Sequence, residues 1–207
     1  ITAPTSFGRM HVAPYLKGFL DRHPKVALRL DLSLSEVSAI RSAGADEVVR
    51  SEEDGYILDD GVVARVSPDC FHVTTTTGGA ARVLAHMEDY LQTEFLHLNV
   101  WLTSISEQWA VIAVQGPKSR DIIAPLLEGI DISDEAFPHM SVREGKICGV
   151  PTRLFRMSFT GDRGFEVNVP ADYGQAVWEA LWAEGQKHGA CAYGTEAMHI
   201  LRAEKGY

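Results

Sequence analysis

Two adjacent carboxylates, Asp59 and Asp60, lie inside the stretch EEDGYILDDGVVARV at residues 52–66. The rest of this stretch has the apolar, β-branched composition of a strand. The dipeptide Asp60-Gly61 is a strong hairpin signal, which would make the pair the polar tip of a turn. A competing turn signal stands at Glu53-Asp54-Gly55, and only one turn is needed because a strand of ordinary length fits between residues 56 and 66.

If the turn lies at residues 53–55, the strand runs through both aspartates and places them on opposite faces. Asp60 then shares the more apolar face with Leu58, Val62 and Ala64, whereas Asp59 is expected to be solvated or paired with Arg65. A carboxylate on an apolar face is costly unless something binds it. Such a group is a candidate for catalysis with a tunable pKa. The residues alone leave both placements open.

Composition limits the classes of function. Apolar residues make up 45% and charged residues 23% of the 207 residues, which is ordinary for a globular protein. The formal net charge of −9 disfavours nucleic acid as a partner, because phosphate binding needs a basic face. We expect no membrane span, since no apolar run approaches ~20 residues. The three cysteines and eight histidines are scattered. They predict neither a disulfide framework nor a metal site, and the chain fits a reducing cytoplasm.

The chain divides into unlike parts. Residues 1–33 predict a strand, a helix and a second strand, giving a β-α-β fragment over residues 1–35. Residues 36–51 are rich in alanine and charge and are interpreted as a junction. From residue 52 the patterns follow the order β-β-α-β-β-α-β-β-α, with a hairpin around TGDRG. This order predicts an α+β domain over residues 52–207, an antiparallel sheet with helices on one face.

The same region carries long motifs of a known family. They are EDGYILDDG, TTTTGGAARVLAHMEDYLQTE, LTSISEQWAVIAVQGPKSRD, EAFPHMSV, FRMSFTGDRGFEVNVP and YGTEAMHILRAEKGY. In this order they resemble the tetrahydrofolate-binding region of sarcosine oxidase α subunits, which is similar to the T-protein (aminomethyltransferase) of the glycine cleavage system. The resemblance implies an aminomethyltransferase-like folate-binding fold and places the turn ahead of the aspartates.

The resemblance also implies the chemistry. Asp60 matches the catalytic carboxylate, beside the reacting nitrogens of tetrahydrofolate. A methylene-iminium derived from sarcosine would be attacked by folate nitrogen, releasing glycine and forming 5,10-methylenetetrahydrofolate. A fixed carboxylate favours such a cation and can assist proton transfer. Positions that contact the folate in relatives match five residues here, which are Thr74, Thr76, Phe159, Glu166 and Arg202.

The resemblance implies further parts that this chain does not contain. FAD, FMN and NAD would belong to those other regions of a full oxidase, and the expected partners are folate and other sarcosine oxidase subunits. Residues 1–33 instead resemble the start of the effector-binding domain of LysR-type regulators, which suggests a chimera. A small-molecule-sensing module of that type and a folded, inactive remnant are the alternative functions.

Overall fold

The computed structural model describes residues 2–4, 31–33, 45–51 and 57–206. Its strands are β1 (Thr2–Pro4), β2 (Asp31–Ser33), β3 (Ala45–Ser51), β4 (Ile57–Ser67), β5 (Cys70–Val73), β6 (Trp109–Gln115), β7 (Leu127–Glu128), β8 (Ser141–Ile147), β9 (Val150–Arg156) and β10 (Gly164–Pro170). Its helices are α1 (Ala80–Thr93), α2 (Ser119–Ile123), α3 (Gly174–Lys187) and α4 (Thr195–Lys205). Short 3₁₀ turns at Ala124–Leu126 and Ala171–Tyr173 follow α2 and β10. In this described part, no helix is long and apolar enough to cross a membrane.

The N-terminal strands pair as the predicted β-α-β fragment requires. Strands β1 and β2 are parallel, with Thr2 opposite Asp31 and Pro4 opposite Ser33. The helix predicted between them lies outside the described residues. The segment interpreted as a junction, residues 36–51, contains strand β3, which pairs with β4 and so adds a strand ahead of residue 52.

Strand β4 runs through both aspartates, as the second turn placement predicts. It is the central strand of a three-stranded antiparallel sheet in the order β3-β4-β5. Asp59 lies opposite Arg50, and Asp60 lies opposite Val49, in the middle of the ladder. Ser51 pairs with Ile57, and the predicted turn residues 53–55 fall outside the described residues. Asp60-Gly61 is not a turn.

A second antiparallel sheet has the order β6-β10-β9-β8-β7. Its central hairpin, β9 and β10, encloses the TGDRG sequence as predicted. Alternation along β10 sends Phe165, Val167 and Val169 toward one face. There they pack with residues of α2 and α3 in the main core, whose other members include Ile122, Ile123, Val177 and Leu181.

The opposite face of this five-stranded sheet packs against β4. Ala64 forms a smaller buried cluster with Val142, Phe155 and Met157, and Val62 packs beside it. The α+β class with antiparallel pairing is therefore confirmed, but the antiparallel strands form two sheets rather than one. The reason is that β4 and β5 bury their own apolar face against β8 and β9 instead of extending the same sheet.

Candidate functional site

Asp59 is fixed by the loop that leads into α1. Its carboxylate accepts a hydrogen bond from the backbone N–H of Thr76 at 2.8 Å and another from the Thr76 hydroxyl at 2.8 Å. Burial by itself would raise the pKa of Asp59, but these bonds, a bond from the Asp60 N–H and the charge of Arg82 outweigh it and lower the pKa. The expected pairing with Arg65 is wrong, because Arg65 donates to the carbonyls of Ser67 and Pro68. Asp59 is therefore an anchor for the loop.

Two glycines allow the close approach of this loop to β4. A Cβ at Gly79 would lie 1.6 Å from Asp59 Oδ2, and a Cβ at Gly61 would lie 2.0 Å from the carbonyl oxygen of Thr74. Neither distance is possible for a real side chain, so any other residue at either position would push the loop away from the strand. The DDG sequence therefore encodes a close contact rather than a turn.

Asp60 lies on the face of β4 that meets the five-stranded sheet. The register from Asp59 to Ala64 is continuous, so Asp60 shares its face with Val62 and Ala64. Ala64 is fully buried and Val62 packs against the same cluster, while Asp60 itself is half-buried. The prediction that Asp60 shares an apolar face with these residues is confirmed.

Thr74 and Thr76 do not occupy the strand positions expected of them, because β5 ends at Val73 and both threonines lie in the following loop. Thr74 extends the ladder by one residue: its N–H donates to the Val62 carbonyl, and its hydroxyl accepts from the Val62 N–H. Thr76 holds Asp59. Thr74 lines a small pocket together with Asp60, whereas the hydroxyl of Thr76 is engaged by Asp59.

Glu166 lies on β10, opposite Phe155 of β9 and Ala113 of β6. Cross-strand partners share a face, and Phe155 belongs to the cluster formed with Ala64. The side chain of Glu166 is therefore on the sheet face that β4 covers, the same inter-sheet region toward which Asp60 is directed. Burial raises the pKa of the Glu166 carboxyl. A carboxyl group in this position can accept hydrogen bonds from the polar edge of a ring when it is ionised, and can donate one to that edge when it is protonated.

Phe159 and Arg202 contact each other directly, as two of the predicted site positions. The guanidinium of Arg202 lies 4.1 Å from the centroid of the Phe159 ring, and its Nη1 donates to the Phe159 carbonyl at 3.3 Å. His199 meets the same ring edge-on at 5.8 Å. These contacts attach α4 to the hairpin loop, and Lys205 adds an ion pair with Asp162 at 2.8 Å. The structure thus gives Arg202 a clear packing role.

A buried histidine was missed by the sequence patterns. His72 is 6% exposed and packs edge-on against Trp109 and Phe155. Arg153 Nη1 lies 3.0 Å from His72 Nδ1, and Arg153 also covers the Trp109 ring at 4.8 Å. Burial and the charge of Arg153 lower the pKa of His72 to about 4. No local spacing signals this group, since its partners lie 37 to 83 residues away along the chain.

Fold and site together define a domain of the glycine cleavage T-protein type. The chain belongs to the GCVT N-terminal domain family, which it matches over residues 45–207. It is 48% identical over 160 residues to the sarcosine oxidase α subunit of Corynebacterium sp. strain U-96. That alignment covers 77% of this chain and 17% of that subunit. It is also 34% identical over 186 residues to an aminomethyltransferase of Saccharopolyspora erythraea, covering 88% of this chain and 48% of that enzyme.

The solved structures agree on the fold. The aminomethyltransferase T of the glycine cleavage system from Bartonella henselae superposes with a TM-score of 0.65 at 22% identity, covering 80% of this chain and 41% of that chain. The chain thus spans about a sixth of the α subunit and about half of the aminomethyltransferase that it matches. An alignment over 88% of the chain cannot be confined to residues 45–207, so it extends into the N-terminal part. None of these comparisons supports the resemblance of residues 1–33 to LysR-type regulators.

Proposed function

We propose that this chain is the tetrahydrofolate-binding, aminomethyltransferase-like part of a sarcosine oxidase α subunit. The observation that carries the proposal is the inter-sheet region, where β4 directs Asp60 and β10 directs the half-buried Glu166 toward the same space. The high identity to sarcosine oxidase α subunits supports the same assignment. FAD, FMN and NAD would be held by other parts of such an oxidase, other subunits would be its partners, and the cytoplasm its compartment.

The proposed reaction transfers one carbon. The methylene-iminium of glycine, formed when sarcosine is oxidised, is attacked by one folate nitrogen. The second folate nitrogen then displaces glycine to give 5,10-methylenetetrahydrofolate. Both folate N–H protons end on the departing glycine nitrogen, so the positive charge is conserved. The carboxylate of Asp60 stabilises the cation electrostatically and is placed to carry a proton between the nitrogens.

The other predicted residues would bind the folate or hold neighbouring side chains in place. Glu166 would hydrogen-bond the polar edge of the pterin, and the half-buried ring of Phe159 would stack on it. Thr74 would contact the folate from the end of β5, beside Asp60. Arg202 would act by holding Phe159 in place, and Thr76 by holding Asp59. Three predicted binding residues would thus contact folate, and two would position their neighbours.

Calorimetric titration of the purified chain with tetrahydrofolate tests the proposal. We expect saturable binding by the unmodified chain and at least a tenfold loss of affinity in Asp60→Asn. The matched control is Asp172→Asn, since Asp172 is an exposed aspartate of the turn before α3. The absence of saturable binding by the unmodified chain would contradict the proposal for this chain and favour a folded, inactive remnant.

A further inference from the structure

Three arginines surround a single carboxylate at one end of the five-stranded sheet. Arg120 of α2 donates to Asp134 from both terminal nitrogens, through Nη1 to Oδ2 at 3.1 Å and through Nη2 to Oδ1. Arg163 Nη2 lies 3.4 Å from Asp134 Oδ2, and Arg156 Nη2 lies 3.9 Å from Asp134 Oδ1. We call these three guanidinium groups the arginine cluster.

The arginine cluster lies on the face of the sheet opposite the inter-sheet region. Arg156 shares its face of β9 with Leu154, which belongs to the main core. Its guanidinium lies 5.0 Å from the centroid of the Phe165 ring, another member of that core. Glu166 follows Phe165 along β10 and is therefore directed to the other face. A ligand at the arginine cluster would thus be separate from folate in the inter-sheet region.

The arginine cluster offers more donors than one carboxylate can accept. Each guanidinium carries five N–H groups. The Nε atoms of Arg120 and Arg156 are buried and have no hydrogen-bond partner in the part of the chain that the structure describes. Arg156 is 8% exposed, and its Nη1 donates to the Gly164 carbonyl at 3.2 Å. Its guanidinium is therefore held in place before any ligand arrives.

Positive charge exceeds negative charge where the three guanidinium groups meet. Burial and the charges of the other two arginines lower the pKa of Arg156, and Asp134 offsets this only in part. The exposed carboxylates of Asp121 and Glu135 act on Arg120 from outside the cluster. An ion with two negative charges would therefore balance the three guanidinium groups better than one carboxylate does.

We propose that the arginine cluster is a binding site for a phosphate group, as the free ion or as the end of a phosphomonoester, and that Asp134 occupies the site when no ligand is bound. A tetrahedral phosphate presents oxygens to guanidinium groups that approach from α2, β9 and the hairpin loop. The side chains of Asp134 and Arg163 are 55% and 38% exposed, so the site is open to solvent. Asp134 turns outward when phosphate binds, while Arg120 and Arg156 stay in place.

Titration with inorganic phosphate, followed through the arginine Nε–H signals in nuclear magnetic resonance, tests the proposal. The signals of Arg120 and Arg156 are suited to this because both Nε atoms are buried. We expect saturable shifts of both signals, and none with sodium chloride at equal ionic strength. Methyl phosphate serves as the monoester. Equally tight binding of methyl phosphate indicates a site for phosphomonoesters, and weaker binding indicates a site for the free ion.

Substitutions distinguish a phosphate site from a purely structural group of ion pairs. Asp134→Asn removes the competing carboxylate, so it should bind phosphate about fivefold more tightly. Phosphate should also restore the thermal stability that this substitution loses. Arg163→Gln should weaken phosphate binding about threefold to fivefold. The matched control Arg65→Gln, on β4, should leave phosphate binding unchanged.

Three results would overturn the proposal. The first is the absence of a saturable shift in the unmodified chain, and the second is a shift of the same size with chloride. The third is an Asp134→Asn chain that binds phosphate no more tightly than the unmodified chain. If Asp134→Asn does not fold, the exposed Arg163 decides the matter, since phosphate binding unchanged in Arg163→Gln also overturns the proposal.

Discussion

The contact between Gly79 and Asp59 gives a sharp prediction for the substitution Gly79→Ala. An alanine Cβ would lie 1.6 Å from Asp59 Oδ2 and 2.7 Å from Thr76 Oγ1. The carboxylate must therefore rotate away and lose both hydrogen bonds from Thr76, each of 2.8 Å. The backbone of Gly79 is at φ −93°, which any residue can adopt, so the cost comes from the clash alone.

The magnitude follows from the lost bonds. A hydrogen bond to a charged group contributes about 1.5–3 kcal/mol, and these bonds are solvent-exposed, so the pair together stabilises by about 2 kcal/mol. For a domain of this size that loss lowers the melting temperature by about 4–8 °C. The intrinsic effect of exchanging glycine for alanine at the start of α1 is within about 1 kcal/mol.

A double-mutant cycle measured by urea unfolding isolates the contact. In an Asp59→Ala background the clashing carboxylate is absent, and Gly79→Ala should cost almost nothing further. We expect a coupling free energy of about 2 kcal/mol between the two positions, within the range seen for residues in contact. Equal costs of Gly79→Ala in both backgrounds would refute the role given to Asp59 as the anchor of the loop.

Three further substitutions test other parts of the structure. The pKa of His72 is lowered to about 4 in the folded chain, so as the pH falls the unfolded chain takes up this proton at a higher pH than the folded chain does. The free energy of unfolding should therefore fall by up to about 3 kcal/mol as the pH drops from 6.5 toward 4, and urea titrations of His72→Phe should lack this pH dependence. The pKa of Glu166 is raised in the folded chain, so the stability of the folded chain falls as the pH rises above the ordinary pKa of a glutamate. Glu166→Gln should therefore unfold at a higher urea concentration than the unmodified chain at pH 7, yet bind tetrahydrofolate more weakly; a lower unfolding midpoint would contradict this. Arg202→Met removes the contact with Phe159 and should cost about 1–2 kcal/mol in the same unfolding assay, whereas no loss would show that α4 is held by other contacts.

The sequence predicted those features that depend on local patterns. Turn signals and alternation left two placements of the turn open, and the family motifs favoured the one in which β4 runs through both aspartates. The face of Asp60 followed from the apolar residues at Val62 and Ala64. The hairpin around TGDRG followed from two β-rich runs that flank a glycine-rich turn.

The contacts that complete the site depend on residues distant in sequence. Asp59 meets Thr76, 17 residues away, and His72 meets Arg153, 81 residues away. Nothing in the spacing of the threonines indicates that β5 stops at Val73, since threonine favours strands and the strand ends only because the loop turns toward Asp59. The number of sheets likewise depends on which apolar faces pack together. Here Ala64 of β4 packs with Phe155 of β9, so β4 lies against the five-stranded sheet instead of extending it.

The central claim is that the two adjacent aspartates have different roles, and one comparison tests it most directly. Asp60→Asn and Asp59→Asn are each measured for tetrahydrofolate affinity by calorimetry and for unfolding free energy in urea. The account predicts that Asp60→Asn loses at least tenfold in affinity with its unfolding free energy unchanged within about 0.5 kcal/mol. It predicts that Asp59→Asn loses about 1 kcal/mol or more of stability, because its anchoring charge is gone. Unchanged affinity in a stably folded Asp60→Asn chain would contradict the account.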